Sequence, residues 1–107
     1  AYSNIEFNPV HIETLCKIIE IVCTKKINGV FNIGSSGSIS KYDYAIFLAK
    51  NLSLNRNLIE KGLHKSSAVI RPNNMRMNIK KFEQIFDYEM PKIYNELIKN
   101  INDYHKL

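Results

Sequence analysis

Two arginines and an asparagine, Arg71, Asn74 and Arg76, are the residues of this 107-residue sequence best suited to binding an anion. An arginine presents a planar set of donors that pairs bidentately with phosphate oxygens. Pro72 biases the residue before it towards extended backbone, which places Arg71 in an extended loop. The segment predicts a diphosphate site, with Arg71 as the principal binding residue and Asn74 and Arg76 as weaker candidates. An ordinary surface position for these arginines is the alternative.

A glycine-containing loop, Gly-Ser-Ser-Gly at residues 34–37, follows a short apolar run and precedes a helix. Backbone N–H groups in such a loop can face a phosphate. The GxGxxG spacing of a dinucleotide-binding loop is not met, because no third glycine follows. Ser40 is also expected to cap the next helix, with Asp43 at its third position as a shortened capping box. We therefore predict a connecting loop, and we assign no cofactor-binding residue to this chain.

Residue types that often act in catalysis are present, but their spacing does not favour a catalytic site. Tyr88 and Lys92 have the Tyr-x-x-x-Lys spacing of short-chain dehydrogenases, but Pro91 lies between them and predicts a helix start at that point. The three histidines are far apart in sequence, and no serine or cysteine has the context of a nucleophile elbow. His11 directly precedes a predicted helix and is expected to satisfy one of its free backbone donors. No catalytic residue and no metal site is predicted.

Composition argues against several other classes of protein. The formal net charge is +5, but the lysines are spread along the chain without a long block, which favours a solvated basic surface and disfavours nucleic acid as a partner. No apolar run approaches the roughly 18 residues of a membrane span, so no membrane partner is expected.

The two cysteines are not expected to form a disulfide. Cys16 and Cys23 would be about 10 Å apart on one helix, beyond the roughly 7 Å limit for a disulfide. They share an apolar face, so we expect buried, reduced thiols and a cytoplasmic protein.

The periodicity of apolar residues predicts an α/β fold with about four helices and a few short strands. Helices are expected from residue 12, over residues 40–52 and 79–86, and from Pro91 onward. Short extended segments are expected at residues 5–10, 58–63 and 75–77. Residues 30–33 form a nearly continuous apolar run, which is typical of a strand covered on both faces in a parallel sheet.

Three segments, taken in order, resemble the C-terminal half of extended short-chain dehydrogenases, and the dTDP-4-dehydrorhamnose reductase branch most closely. Pro-Val-His-Ile-Glu-Thr-Leu at residues 9–15 resembles the family's Pro/Ile-His-Val-Asp-Asp-Leu helix start. Gly-Val-Phe-Asn-Ile-Gly-Ser-Ser-Gly at residues 29–37 resembles its Gly-x-Tyr-Asn-Leu-Gly-x-Gly strand, and residues 39–43 resemble the helix start that follows. Arg-Pro-Asn-Asn-Met-Arg-Met-Asn-Ile-Lys-Lys-Phe at residues 71–82 resembles its Arg-Pro-x-Asn-Ser-x-Leu-Asp-x-Ser-Lys-Leu segment.

Three residues depart from the family pattern. Thr14 stands in place of the family's second acid and Asn78 in place of its Asp, although both residue types can still cap a helix. Phe7 stands where some epimerases of the superfamily have a phosphate-binding arginine, which favours the reductase-like branch or weaker phosphate binding. The family's N-terminal glycine fingerprint, its catalytic Tyr-x-x-x-Lys helix and the Ser/Thr partner have no counterpart in this sequence.

The resemblance implies that residues 1–107 are the C-terminal, substrate-binding portion of an NAD(P)-dependent nucleotide-sugar reductase, which is not catalytic alone. The implied partners are a nucleotide-sugar diphosphate and a missing N-terminal Rossmann half, which would bind the NAD(P)H that the parent enzyme requires. In the family, the strand at residues 30–33 belongs to the large sheet of that half, so the isolated chain is expected to self-associate through unpaired strand edges. Two alternatives are a small basic binding module for nucleic acid or protein, and a degenerate relative that serves only as an interaction partner.

Overall fold

The fold consists of four helices and a two-stranded antiparallel sheet, in a computed structural model that describes residues 1–65, 69–70 and 72–107. In chain order the elements are β1 (Glu6–Phe7), α1 (Ile12–Lys25), β2 (Ile39–Ser40), α2 (Lys41–Asn51), a 3-10 turn (Arg56–Leu58), α3 (Lys80–Phe86) and α4 (Ile93–His105). In the sheet, Glu6 lies opposite Ser40 and Phe7 lies opposite Ile39. The predicted α/β class with about four helices is confirmed for this part of the chain.

Helix α1 begins and ends where its flanking residues satisfy free backbone groups. The His11 Nδ1 atom accepts a hydrogen bond from the Glu13 N–H at 3.2 Å, which confirms the predicted capping role of His11. Lys26 ends the helix in the left-handed conformation, at φ 52°, and its N–H donates to the Val22 carbonyl oxygen. His11 therefore fixes the start of α1, a few residues after the end of β1.

Side chains of α1, α3 and the loop after α3 form a first apolar cluster. Ile18 packs with Phe82, Phe86 and Met90, and the rings of Phe82 and Phe86 stack with their centroids 4.7 Å apart. Full burial of one such side chain contributes about 1.5–3 kcal/mol to stability. The cluster holds α3 against α1, and it thereby positions the segment that leads into α3.

A second apolar cluster holds the two-stranded sheet against α4. Ile39 of β2 packs with Ile93 and Leu97 of α4, and Phe7 of β1 packs on the same cluster. The ring of Phe7 meets Tyr44 edge to face, with centroids 5.7 Å apart, and the Lys41 amino group lies 3.7 Å from the Phe7 centroid. Phe7 is thus a packing residue on the side of β1 that faces this cluster.

Polar side chains hydrogen bond to backbone groups at the starts of α2 and α3, and that of Ser40 is the N-cap of α2. The Ser40 hydroxyl accepts from the Asp43 N–H at 3.0 Å and hydrogen bonds to the Asp43 carboxylate at 2.8 Å, which confirms the predicted capping box of α2. The Asn78 Oδ1 atom accepts from the Lys80 N–H at 3.1 Å at the start of α3. Helix α4 begins at Ile93, two residues after Pro91.

Several predicted extended segments are shorter than expected or are not strands. The first is limited to Glu6–Phe7, and residues 30–33 belong to no sheet among the residues described. The predicted strand at residues 58–63 is wrong, because a 3-10 turn leads into it and Gly62 forms an isolated bridge with Tyr2. Residues 75–77 also form no strand, although the adjacent Asn74 bridges to Glu6. The pattern of apolar residues indicates which side chains favour burial. It does not show which other segment would form the backbone hydrogen bonds of a strand.

The prediction of buried thiols on α1 is also wrong. Cys16 and Cys23 are both exposed, as are Ile12 and Ile19 at 63% and 53%. The face that α1 buries instead carries Thr14 and Ile18. Helix α1 is apolar on two sides, and the described chain covers only one of them.

The molecule is a flat plate, with principal extents of 48 × 39 × 19 Å. Its radius of gyration is 16.0 Å, whereas a compact domain of this length would have about 13 Å. The shortest extent leaves room for about two layers of helices, each about 10 Å across. The described residues leave the face of α1 that carries Ile12 and Ile19 uncovered. None of the described helices has the length and apolar content needed to cross a bilayer.

Candidate functional site

A polar pocket lies where the end of β1, the loop at residues 34–37 and the segment at residues 74–80 meet. Its volume is about 590 Å³, within the roughly 300–1,000 Å³ that small-molecule sites occupy. The polar and charged residues that line it include Asn8, Ser35, Asn74, Arg76, Lys80 and Glu83. Two of the three predicted substrate-binding residues, Asn74 and Arg76, are thus brought together in one pocket. Arg71, the third, lies outside the described residues.

Asn8 joins two walls of this pocket through its side-chain amide. Its Nδ2 atom donates to the Ser35 and Met77 carbonyl oxygens, both at 3.0 Å, and its Oδ1 atom accepts from the Met77 N–H at 2.7 Å. The Asn8 carbonyl oxygen also accepts from the Ser35 N–H at 3.0 Å. Because Asn8 is only 7% exposed, these hydrogen bonds are shielded from water. Asn8 therefore sets the spacing between the two walls, and the sequence analysis missed it.

Gly34 is required by the close approach of Asn8. A Cβ atom at this position would lie 2.4 Å from Asn8 Nδ2 and 3.0 Å from the Asn8 carbonyl oxygen. Only glycine fits at such a distance without a shift of the backbone. The glycine in the Gly-Ser-Ser-Gly loop was the one sequence signal that could have pointed to Asn8.

The Gly-Ser-Ser-Gly loop has the hydrogen bonding of a connector. The Ser35 N–H is bonded to Asn8, and the Ser36 N–H donates to the Pro91 carbonyl oxygen at 2.8 Å. The backbone donors at the start of α2 are capped by Ser40. The Ser35 and Ser36 N–H groups are therefore not free to face a dinucleotide diphosphate.

Asn74 orients Arg76 within the pocket. The Asn74 Oδ1 atom accepts from both the backbone N–H and the Nε of Arg76, each at 3.1 Å. The Glu6 carboxylate lies 3.9 Å from the Arg76 Nε, and backbone hydrogen bonds between Glu6 and residues 73 and 75 hold the segment beside β1. The two terminal nitrogens of the guanidinium make no hydrogen bond to any residue that the structure describes. They remain available to a bidentate acceptor such as phosphate.

A second polar cluster joins α1 to α4. Glu96 is a carboxylate with only 2% exposure that accepts from the Thr14 hydroxyl at 2.6 and 2.9 Å and from the His11 N–H at 3.2 Å. The Lys99 amino group donates to the Thr14 hydroxyl at 2.9 Å and lies 3.6 Å from Glu96. Glu96 thus brings a carboxylate to the Thr14 side chain. A buried carboxylate is tolerated when it is hydrogen-bonded in this way.

A smaller cavity of about 240 Å³ lies beside this cluster, lined by His11, Tyr44, Asn100 and Asp103 among others. His11 Nε2 lies 2.5 Å from the Asp103 carboxylate, and the Asn100 amide donates to the Tyr44 hydroxyl at 3.0 Å. Burial raises the pKa of Tyr44, the neighbouring Tyr104 raises it further, and the hydrogen bond from Asn100 opposes them. The polar groups here are paired with one another, which favours a structural role over ligand binding.

Tyr88 and Lys92 are not arranged as a catalytic pair. Tyr88 lies in the loop between α3 and α4, where its ring packs on Phe82 at a centroid distance of 6.2 Å. Lys92 directly precedes α4. No helical turn carries both residues, as the intervening Pro91 predicts.

The order and packing of these elements define an α/β fold that solved reductases share over about a third of their length. In particular, the chain is similar in fold to dTDP-4-dehydrorhamnose reductases. One from Bacillus anthracis str. Ames, solved in complex with NADP, has a TM-score of 0.75 at 14% identity, over 92% of this chain and 35% of that one. Another, from Yersinia enterocolitica, has a TM-score of 0.69 at 21% identity, over 95% of this chain and 36% of that one.

The chain spans about a third of the length of these reductases. No family model matches it, and no curated protein matches its sequence. The likeness at these identities establishes the fold, and the chemistry of the pocket has to be argued from the residues themselves.

Proposed function

We propose that this chain is the substrate-binding portion of an NAD(P)-dependent nucleotide-sugar reductase of the dTDP-4-dehydrorhamnose reductase type, and that its polar pocket binds the diphosphate of the substrate. The observation that carries the proposal is the Arg76 guanidinium, which Asn74 orients in the pocket and whose two terminal nitrogens bond to no described residue. The similarity of the fold to reductases of that name supports the substrate class. Arg71 would add a second guanidinium from the same segment.

Substrate binding is the only part of the reaction that the described residues support. The Ser35 and Ser36 N–H groups of the connecting loop are already bonded within the chain, and Tyr88 and Lys92 are not arranged to transfer a proton. Hydride delivery from NAD(P)H to a 4-keto sugar would fall to an N-terminal Rossmann half. Residues of the pocket would hold the sugar nucleotide in place while that half acts on it.

Two uncovered surfaces support such a second half as a partner. One is the outer face of α1, formed by Ile12, Cys16, Ile19 and Cys23. The other is the segment at residues 30–33, where Val30 is 83% exposed and no described residue pairs with it in a sheet. Contiguous exposed apolar residues mark places where another protein surface binds.

Calorimetric titration of the 107-residue chain with a dTDP-sugar tests the proposal. Arg76→Ala is expected to weaken binding by about 1.5–3 kcal/mol, roughly 10- to 150-fold, because a charge-assisted pair with phosphate is lost. The matched control is Arg56→Ala, in the 3-10 turn and outside the pocket, which should leave the affinity unchanged. An absence of binding at millimolar dTDP-sugar, or equal losses in both variants, would contradict the proposal.

A further inference from the structure

The Ser35 side chain has a hydroxyl that the folded chain does not use. Ser35 is 1% exposed, and its Oγ atom has no hydrogen-bond partner among the residues that the structure describes. A buried hydroxyl without a partner costs free energy, because folding removes its hydrogen bonds to water. Such a group calls for an explanation.

The backbone of Ser35 is held in place by Asn8. The Ser35 backbone N–H and carbonyl oxygen are both bonded to Asn8, so the backbone is restrained on both sides of the Cα atom. The Asn8 amide itself makes its remaining hydrogen bonds to Met77. The Ser35 backbone is therefore fixed in the wall of the polar pocket, while rotation about the Cα–Cβ bond can turn the hydroxyl towards a ligand bound there.

The pocket carries two cationic side chains against one carboxylate, Glu83. Four of its side-chain oxygens already accept from backbone N–H groups: Asn8 Oδ1 from Met77, Asn74 Oδ1 from Arg76, Asn78 Oδ1 from Lys80 and Glu83 Oε2 from Met90. The terminal nitrogens of Arg76 and the amino group of Lys80 make no hydrogen bond or ion pair to other described residues. A ligand that matches this lining is rich in acceptors and negatively charged.

We propose that Ser35 is a ligand-binding residue whose hydroxyl donates to a phosphate oxygen, and that Lys80 and Arg76 neutralise the same phosphate group. This inference rests on the proposed function and deepens it, because it adds Ser35 and Lys80 to the residues that bind the diphosphate. The hydroxyl that costs stability in the free chain is satisfied when the phosphate is bound.

Ser35→Ala separates this role from a structural one, because the two roles predict opposite effects. Removal of an unpartnered hydroxyl should raise the Tm of the free chain by a few degrees. The same change should weaken the binding of inorganic pyrophosphate roughly five- to tenfold, through loss of one hydrogen bond. Ser38→Ala is the matched control in the same loop, since its exposed hydroxyl already bonds to Glu6 outside the pocket lining, and neither quantity should change appreciably.

Lys80→Gln provides a second measurement at an exposed position that cannot disturb the core. It should weaken pyrophosphate binding by roughly fivefold or more, whereas Lys50→Gln at the end of α2 should not. The inference is overturned if pyrophosphate does not bind at millimolar concentration, if Ser35→Ala leaves its affinity unchanged, or if Ser35→Ala lowers the Tm.

Titrations with pyrophosphate, dTDP and thymidine distinguish this inference from the proposed function. Pyrophosphate binding that depends on Ser35, without tighter binding of dTDP, would support the phosphate site and count against a nucleotide-sugar substrate. Binding of a dTDP-sugar that is weakened by Arg76→Ala but not by Ser35→Ala would support the proposed function and overturn the role of Ser35.

Discussion

At the scale of single residues, the pocket depends on contacts between distant parts of the chain. Asn8 reaches Ser35 over 27 positions of sequence and Met77 over 69. Local patterns predicted the residues whose partners are nearby: the His11 and Ser40 caps bond to groups two and three residues away. They did not predict Asn8 or Ser35, because one sequence does not show which remote segments meet.

Asn8→Ala should destabilise the chain by about 2–4 kcal/mol, since it removes three hydrogen bonds and leaves backbone groups of Ser35 and Met77 unsatisfied. Urea denaturation followed by circular dichroism measures the change. Asn95→Ala, at an exposed position of α4, is the control and should stay within about 0.5 kcal/mol of the parent. Equal stabilities of the two variants would show that Asn8 does not hold the walls of the pocket together.

At the scale of elements, α1 shows what periodicity can and cannot predict. Its position and length follow from the spacing of apolar residues and from its caps. The spacing does not determine which face of α1 is buried, because the helix has two apolar sides. One side carries Ile18 and Val22, and the other carries Ile12, Cys16 and Ile19. Which side is covered depends on where α3 and α4 pack, and that information lies about 60 to 90 residues further along the chain.

Both cysteine thiols of the native chain should react with iodoacetamide at rates close to those of the urea-unfolded chain, because both side chains are exposed on α1. Mass spectrometry at low micromolar concentration counts the modified thiols over time. A double Cys16→Ser/Cys23→Ser variant controls for reaction at other residues. If either thiol were protected until urea was added, the orientation of α1 described here would be wrong.

At the scale of the whole molecule, the flat shape explains why some apolar side chains are buried while others remain exposed. The two apolar clusters lie between the helices of a plate only 19 Å thick, so each outer face is close to the core. The resemblance to a reductase family gave the fold class correctly, and the uncovered α1 face agrees with a chain that spans about a third of those reductases. The short strands were predicted less well, since strand formation needs a neighbouring strand, which the described residues do not provide for residues 30–33, 58–63 and 75–77.

Self-association of the isolated 107-residue chain is the prediction that belongs to this scale. Light scattering should give a mass that rises above 12.4 kDa with increasing concentration, because burial of the α1 face and of residues 30–33 between copies removes apolar surface from water. Ile19→Glu and Val30→Lys should each lower that mass towards the monomer, since a charge at the interface would lose its hydration.

Leu58→Glu changes an exposed apolar residue outside both surfaces and should leave the concentration dependence of the mass unaltered. The two surfaces can be separated by comparing the single variants with the Ile19→Glu/Val30→Lys double variant. Additive losses of association would mean that each surface contributes independently. A parent chain that stays at 12.4 kDa up to millimolar concentration would mean that neither surface binds a second copy. Exposed apolar residues of this plate would then need a different partner to cover them.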